Sequence, residues 1–132
     1  MKGYVVNIET EAKENSNFRK VLYTGKHTQL VLMSLPPKGE IGLEIHEEND
    51  QFFRIDAGTG AVVIDGNNYD LRDGSAVVVP AGAEHNVINT SSTEDLKLYT
   101  LYSPPHHKDS IERLTREQAE SNEEEFDGQT TE

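Results

Sequence analysis

Hydrophobic and polar residues alternate with a period of two in short runs, each cut by Gly, Pro, Asn or Asp. YVVNI (4–8) predicts a first strand, and TEAKENSN (10–17) predicts a loop. VLYTG (21–25) and TQLVLMSL (28–35) predict two more strands, the second stopped by Pro36, Pro37 and Gly39. GLEIH (42–46) and QFFRID (51–56) follow, separated by a polar loop. Ala61–Ile64 and Tyr69–Leu71 flank Asp65-Gly66, a hairpin signature. SAVVVP (75–80), NVINT (86–90) and LKLYTLYS (96–103) complete the series, and Pro104-Pro105 ends it. Thr115 and Gln118 fit a capping box opening a helix over 116–125, and DGQTTE after Phe126 is expected to be disordered. Short strands with turn signals throughout imply an all-β fold and exclude alternating βαβ units. The chain divides into N-terminal strands and loop (1–27), a core (28–105), and an acidic, partly helical extension (106–132).

Strand parity adds chemistry to this outline. Gly42, Glu44 and His46 share one face of their strand, and Leu43 and Ile45 share the other. Either Glu44 and His46 face water, or they point inward at a metal. His85 follows a loop stiffened by Pro80 and Gly82, and shares a face with Val87 and Asn89. An imidazole at the end of a rigid turn is well placed to ligate. Phe53 shares a face with Gln51, and Tyr102 with Leu98 and Thr100, so both can line the same interior.

Composition narrows the options. At 132 residues and 34% hydrophobic, the chain supports one modest core. Cysteine is absent, which excludes disulfides, thiolate metal sites and Cys nucleophiles. Net charge is −12, of which residues 108–132 carry −6, with nine acids against three bases. Such a surface disfavours nucleic acid and favours cations. No apolar run is long enough for a membrane span, and the N-terminus has no signal-peptide core, so a cytoplasmic location is expected.

At the histidine segments the sequence resembles the cupin superfamily, over roughly residues 28–105. Gly74, Pro80, Gly82, His85 and Asn89 match the family's second motif at every position. The first motif is matched in spacing by His46, Gln51 and Gly58, with Gly39 four residues rather than five before Glu44, Glu44 where the family has its first histidine and Gln51 where it has its glutamate. The resemblance implies a double-stranded β-helix, or jelly-roll, barrel with a short C-terminal helix. It also implies one divalent transition metal ion (Fe, Mn, Ni, Co or Zn) held by Glu44, His46, Gln51 and His85. The two departures together keep one negative charge in the ligand set. The implied function is that of a metal-dependent enzyme on a small organic molecule, of dioxygenase or sugar-isomerase type. The alternative is a non-catalytic small-molecule-binding module. Tyr102 is the candidate catalytic donor to a bound oxygen. Apolar residues beyond what one small barrel hides, Leu43 and Ile45 among them, imply a homodimer.

The remaining histidines read as surface residues: His27 in a turn, and His106-His107 as a solvated pair after the prolines, with a lid role as the alternative. Arg19, Lys20 and Arg54 are the bases that can offset an anionic substrate.

Overall fold

The computed structural model describes residues 1–132. The strands are β1 (Arg19–Thr24), β2 (Gln29–Leu35), β3 (Glu44–Ile45), β4 (Asp50–Ala57) and β5 (Thr59–Ile64). They continue with β6 (Asn67–Arg72), β7 (Ala76–Val79), β8 (Glu84–Asn89), β9 (Leu96–Ser103) and β10 (Glu112–Arg113). Two short helices, α1 (Ile8–Glu14) and α2 (Arg116–Ser121), lie near the ends of the chain.

The expected jelly-roll barrel does not close. One sheet has six strands in the order β10-β1-β2-β9-β4-β7, and the other four in the order β3-β8-β5-β6. Closure requires the outermost strands to pair with one another. Here β3 and β10 are only two residues long. β6, at another margin, is exposed at Asn67, Asn68, Tyr69 and Asp70, a polar edge that resists further pairing. The result is two open sheets.

The core follows the predicted alternation. Val31, Met33 and Leu35 of β2, Phe53 and Ile55 of β4, and Leu96 and Leu98 of β9 are buried together with Val62 of β5 and Val87 of β8. Asp65 and Gly66 adopt φ 45° and 80°, the left-handed pair that a two-residue hairpin loop needs, and β5 and β6 pair in register across them.

The N-terminus departs from expectation. The proposed strand at 4–8 and the loop at 10–17 give way to α1, because Asn7 caps it: its side chain accepts a hydrogen bond from the Thr10 amide at 3.0 Å. Glu9 and Glu11 occupy the first turn and Lys13 the last, the charge order a helix dipole favours. α1 buries Ala12 and packs against β2, β4 and β9. At the other end, Thr115 caps α2 as its sequence implies, but the helix stops at Ser121. The segment after Phe126 lies along the N-terminal side of the fold: the Thr131 amide donates to Thr24, and Tyr23 donates to Glu132 at 2.6 Å.

Candidate metal centre

The face question raised by GLEIH resolves inward for the polar residues. Leu43 and Ile45 are exposed, at 66% and 50%, whereas the His46 side chain is 8% exposed. Glu44 stands opposite His85 in the β3–β8 register. Loop hydrogen bonds hold that register. The Gly82 amide donates to the His46 carbonyl at 2.9 Å, and the Gly42 amide donates to Asn86 Oδ1 at 2.8 Å. Gly82 takes φ 89°, so the second motif needs glycine there to turn the chain beneath His46. Asn89, fully buried, serves the scaffold: its amide donates to the Leu35, Pro36 and Glu94 carbonyls.

Glu44, His46 and His85 bring one ligand atom each to within 4.8 Å of one another, a cluster that can coordinate a metal ion. The hydrogen bonding inside it fits a cation. His85 Nδ1 lies 3.0 Å from the Ala83 carbonyl, which can only accept, so Nδ1 donates there and Nε2 is the ring atom turned toward the cluster. His85 Nε2 lies 3.2 Å from Gln51 Oε1. Gln51 Nε2 lies 3.0 Å from Thr100 Oγ1. His85 Nε2 and Gln51 Oε1 are both of the type that can ligate a cation. Likewise His46 Nε2 lies 2.6 Å from Glu44 Oε2 but is not aligned for a hydrogen bond, and it is buried without another partner. A buried polar atom left unpaired is costly unless something else satisfies it.

Electrostatics agree. Burial pushes the Glu44 carboxyl up, but the contact with His46 and the charges of His46, Arg19 and His85 outweigh it, holding Glu44 below its ordinary value and ionised. Tyr102 is buried and paired in register with Gln51. Burial raises its pKa well above the ordinary value, so it stays a neutral phenol that can donate a hydrogen bond.

The sequence reading missed what surrounds this cluster. His106 and His107 are not a solvated surface pair. The His106 ring packs on His46 with centroids 4.4 Å apart and stacks on Tyr102 at 5.3 Å. His107 is buried, and its Nε2 lies 3.2 Å from the Tyr102 hydroxyl. Burial, with the like charge of His46, lowers the His106 pKa to about 4. Burial and then Arg19 lower that of His107 well below the ordinary value. The fold brings the pair in through Gln29, whose Oε1 accepts from both His106 and His107 amides while its Nε2 donates to the His107 carbonyl. Nothing in the local sequence of Gln29 signals that role. Arg19, read only as a nearby base, lines the same cavity of about 290 Å³ with Glu44, His46, His106 and His107. Glu123–Glu125 stand at its margin, brought there by the pairing of His107 with Glu125. Phe53 lies beside His85, ring centroids 6.3 Å apart, within the core.

Facing β-sheets with a His-His-Glu cluster between strand ends define a β protein with a candidate metal centre. The chain belongs to the cupin family: residues 31–102 match the family described as Cupin domain. It is 50% identical over 108 residues to an uncharacterised protein of Acanthamoeba polyphaga mimivirus, covering 79% of this chain and 67% of that one. It is 52% identical over 112 residues to the uncharacterised protein YrkC of Bacillus subtilis, covering 80% of this chain and 60% of YrkC. The chain thus spans about two thirds of the length of these relatives. A crystal structure of a Bacillus halodurans protein, 40% identical, superposes with a TM-score of 0.89 over 92% of this chain and 96% of that one. No helix is long and apolar enough to cross a membrane.

Proposed function

We propose that this cupin is a metal-dependent enzyme acting on a small organic molecule. One divalent transition metal ion is held by Glu44, His46 and His85, with Gln51 Oε1 as fourth ligand. The observation that carries this reading is the convergence of one ligand atom each from Glu44, His46 and His85 within 4.8 Å of one another, with His46 Nε2 buried without a hydrogen-bond partner and Gln51 Oε1 3.2 Å from His85 Nε2. Two imidazoles, one carboxylate and one amide oxygen suit Fe, Mn, Co, Ni or Zn. A metal bound there supplies Lewis acidity, or oxygen activation if it is iron. The protein's own residues do the rest. Glu44 contributes the set's single negative charge. Tyr102 offers its proton to an oxygen of the bound molecule. His106 and Tyr102 wall off one side of the site from water.

A non-catalytic binding module is the second reading. It is favoured by the absence of a strong base at the site: the only ionised carboxylate among its buried residues is Glu44, and His106 and His107 are weak bases. Exposed Leu43 and Ile45 around edge strand β3 support a homodimer, which sedimentation of the purified chain tests directly.

Elemental analysis of protein purified without added metal tests the metal reading. Near-stoichiometric transition metal supports it. Less than about a tenth of an equivalent, with no gain on reconstitution, sinks it. With iron present, oxygen uptake across enolic, diketone and flavonol compounds separates an oxygenase from a binder.

A further inference from the structure

Arg19 opens β1 and is 7% exposed. Its Nε is buried without a hydrogen-bond partner. Of the other four arginines, Arg72 is exposed and the rest have carboxylates: Arg54 pairs with Asp56, Arg113 with Glu124, and Arg116 with Glu120. Arg19 makes no ion pair in a chain of net charge −12, and its guanidinium carbon lies 5.4 Å from the centre of the Phe18 ring. Leaving a charge buried and unpaired is strongly destabilising. The same side chain lines two cavities that meet at Glu44, one of them the 290 Å³ space over His46 and His106. Its charge is felt at Glu44, Tyr102, His106 and His107.

We infer that Arg19 is the anion-binding residue of this site, holding the carboxylate of a small organic acid whose second oxygen function faces the Glu44–His46–His85 cluster. Only that second clause rests on the proposed metal centre. Arginine presents a planar fork of donors that matches a carboxylate, and a buried fork gains most from such a partner. The surroundings set the charge of the ligand. Glu44 lines the same cavity, and Glu123–Glu125 stand exposed at its margin. A monoanionic acid fits one unpaired guanidinium, whereas the extra charge of a phosphate meets repulsion from these acids.

The test titrates the full chain calorimetrically with pyruvate, with its uncharged counterpart hydroxyacetone, and with inorganic phosphate. Metal-free and zinc-loaded forms are compared for wild type, Arg19→Met and Arg19→Lys, and zinc content is measured separately for each. The expected result is pyruvate binding in both forms of the wild type, weakened about tenfold or more in Arg19→Met, with Arg19→Lys between them. Hydroxyacetone should bind no better to wild type than to Arg19→Met. Zinc content should be the same in all three proteins. Equal pyruvate affinity in wild type and Arg19→Met overturns the inference, as does tighter binding of phosphate than of pyruvate, or no pyruvate binding by the wild type. If Arg19→Met does not fold, Arg19→Lys decides: it keeps the charge but loses the fork, and wild-type affinity there overturns the inference equally. Arg19-dependent pyruvate binding without zinc uptake sinks the metal centre alone. Zinc uptake with Arg19-independent binding sinks this inference alone.

Discussion

Glu44 and His85 stand directly opposite each other across the β3–β8 pair, so one backbone register sets two candidate ligands that lie far apart in sequence. His85→Ala removes a ligand from that register. Loss of a supporting hydrogen bond alone costs about 10–100-fold in metal affinity, and loss of a ligand costs more. His85→Ala should therefore leave the purified protein essentially metal-free, while Gln51→Ala, which removes a neutral and weaker oxygen donor, should lower affinity without emptying the site. Metal content and competition with a chelator distinguish the two, and equal, negligible effects would place the ligands elsewhere.

His107 makes stability depend on pH. Burial, followed by the charge of Arg19, holds its folded pKa well below that of the unfolded chain. The unfolded state therefore binds the proton first. Stability is fully present above about pH 6.5 and falls as pH drops below it, by about 1.4 kcal/mol per pH unit until the folded value is reached. His107→Gln can keep a hydrogen bond to Tyr102 but does not titrate. Denaturant unfolding of both proteins between pH 7 and 5 should show the wild type losing more stability than the variant. Parallel curves would rule out His107 as the source.

Gln29 ties the 106–107 segment to β2. Gln29→Ala leaves the His106 and His107 amides without their acceptor, and each unpaired buried group costs about 1–3 kcal/mol. Hydrogen exchange at those two amides should accelerate well beyond that of the β9 amides. Unchanged protection there would mean that other contacts hold the segment.

Gly58 closes the first motif with φ 92°, and a Cβ on it would sit 2.5 Å from the Asp95 carbonyl oxygen. Gly58→Ala should destabilise the fold by about 1–3 kcal/mol or more, read from the urea midpoint. Gly66→Ala, also left-handed but with open space around it, carries the backbone cost without the clash and should lose less.

Much of this was legible in the sequence because alternation reports burial directly. The faces of β2, β4 and β9 are those their parity implies, and Gly74, Pro80, Gly82, His85 and Asn89 occupy the loop and strand that position the cluster. Three things were not legible. α1 depends on the Asn7 cap, a single side-chain bond that competes with a β-like run of apolar residues. Whether a sheet closes depends on which edge strands pair, which short runs such as Glu44–Ile45 do not encode. The burial of His106 and His107 depends on Gln29, 78 residues from His107, so no local pattern announces it.

The candidate centre also has a mechanical meaning. Glu44, His46 and His85 belong to β3, its end and β8, whereas Gln51 belongs to β4 in the other sheet. An ion gripped by all four would rivet the two layers together at one point, between β3 and β8 of one sheet and β4 of the other. The unclosed architecture would then owe its stiffness in that corner to a coordination bond rather than to a strand ladder, and stripping the ion would let the layers shear before either one unravels.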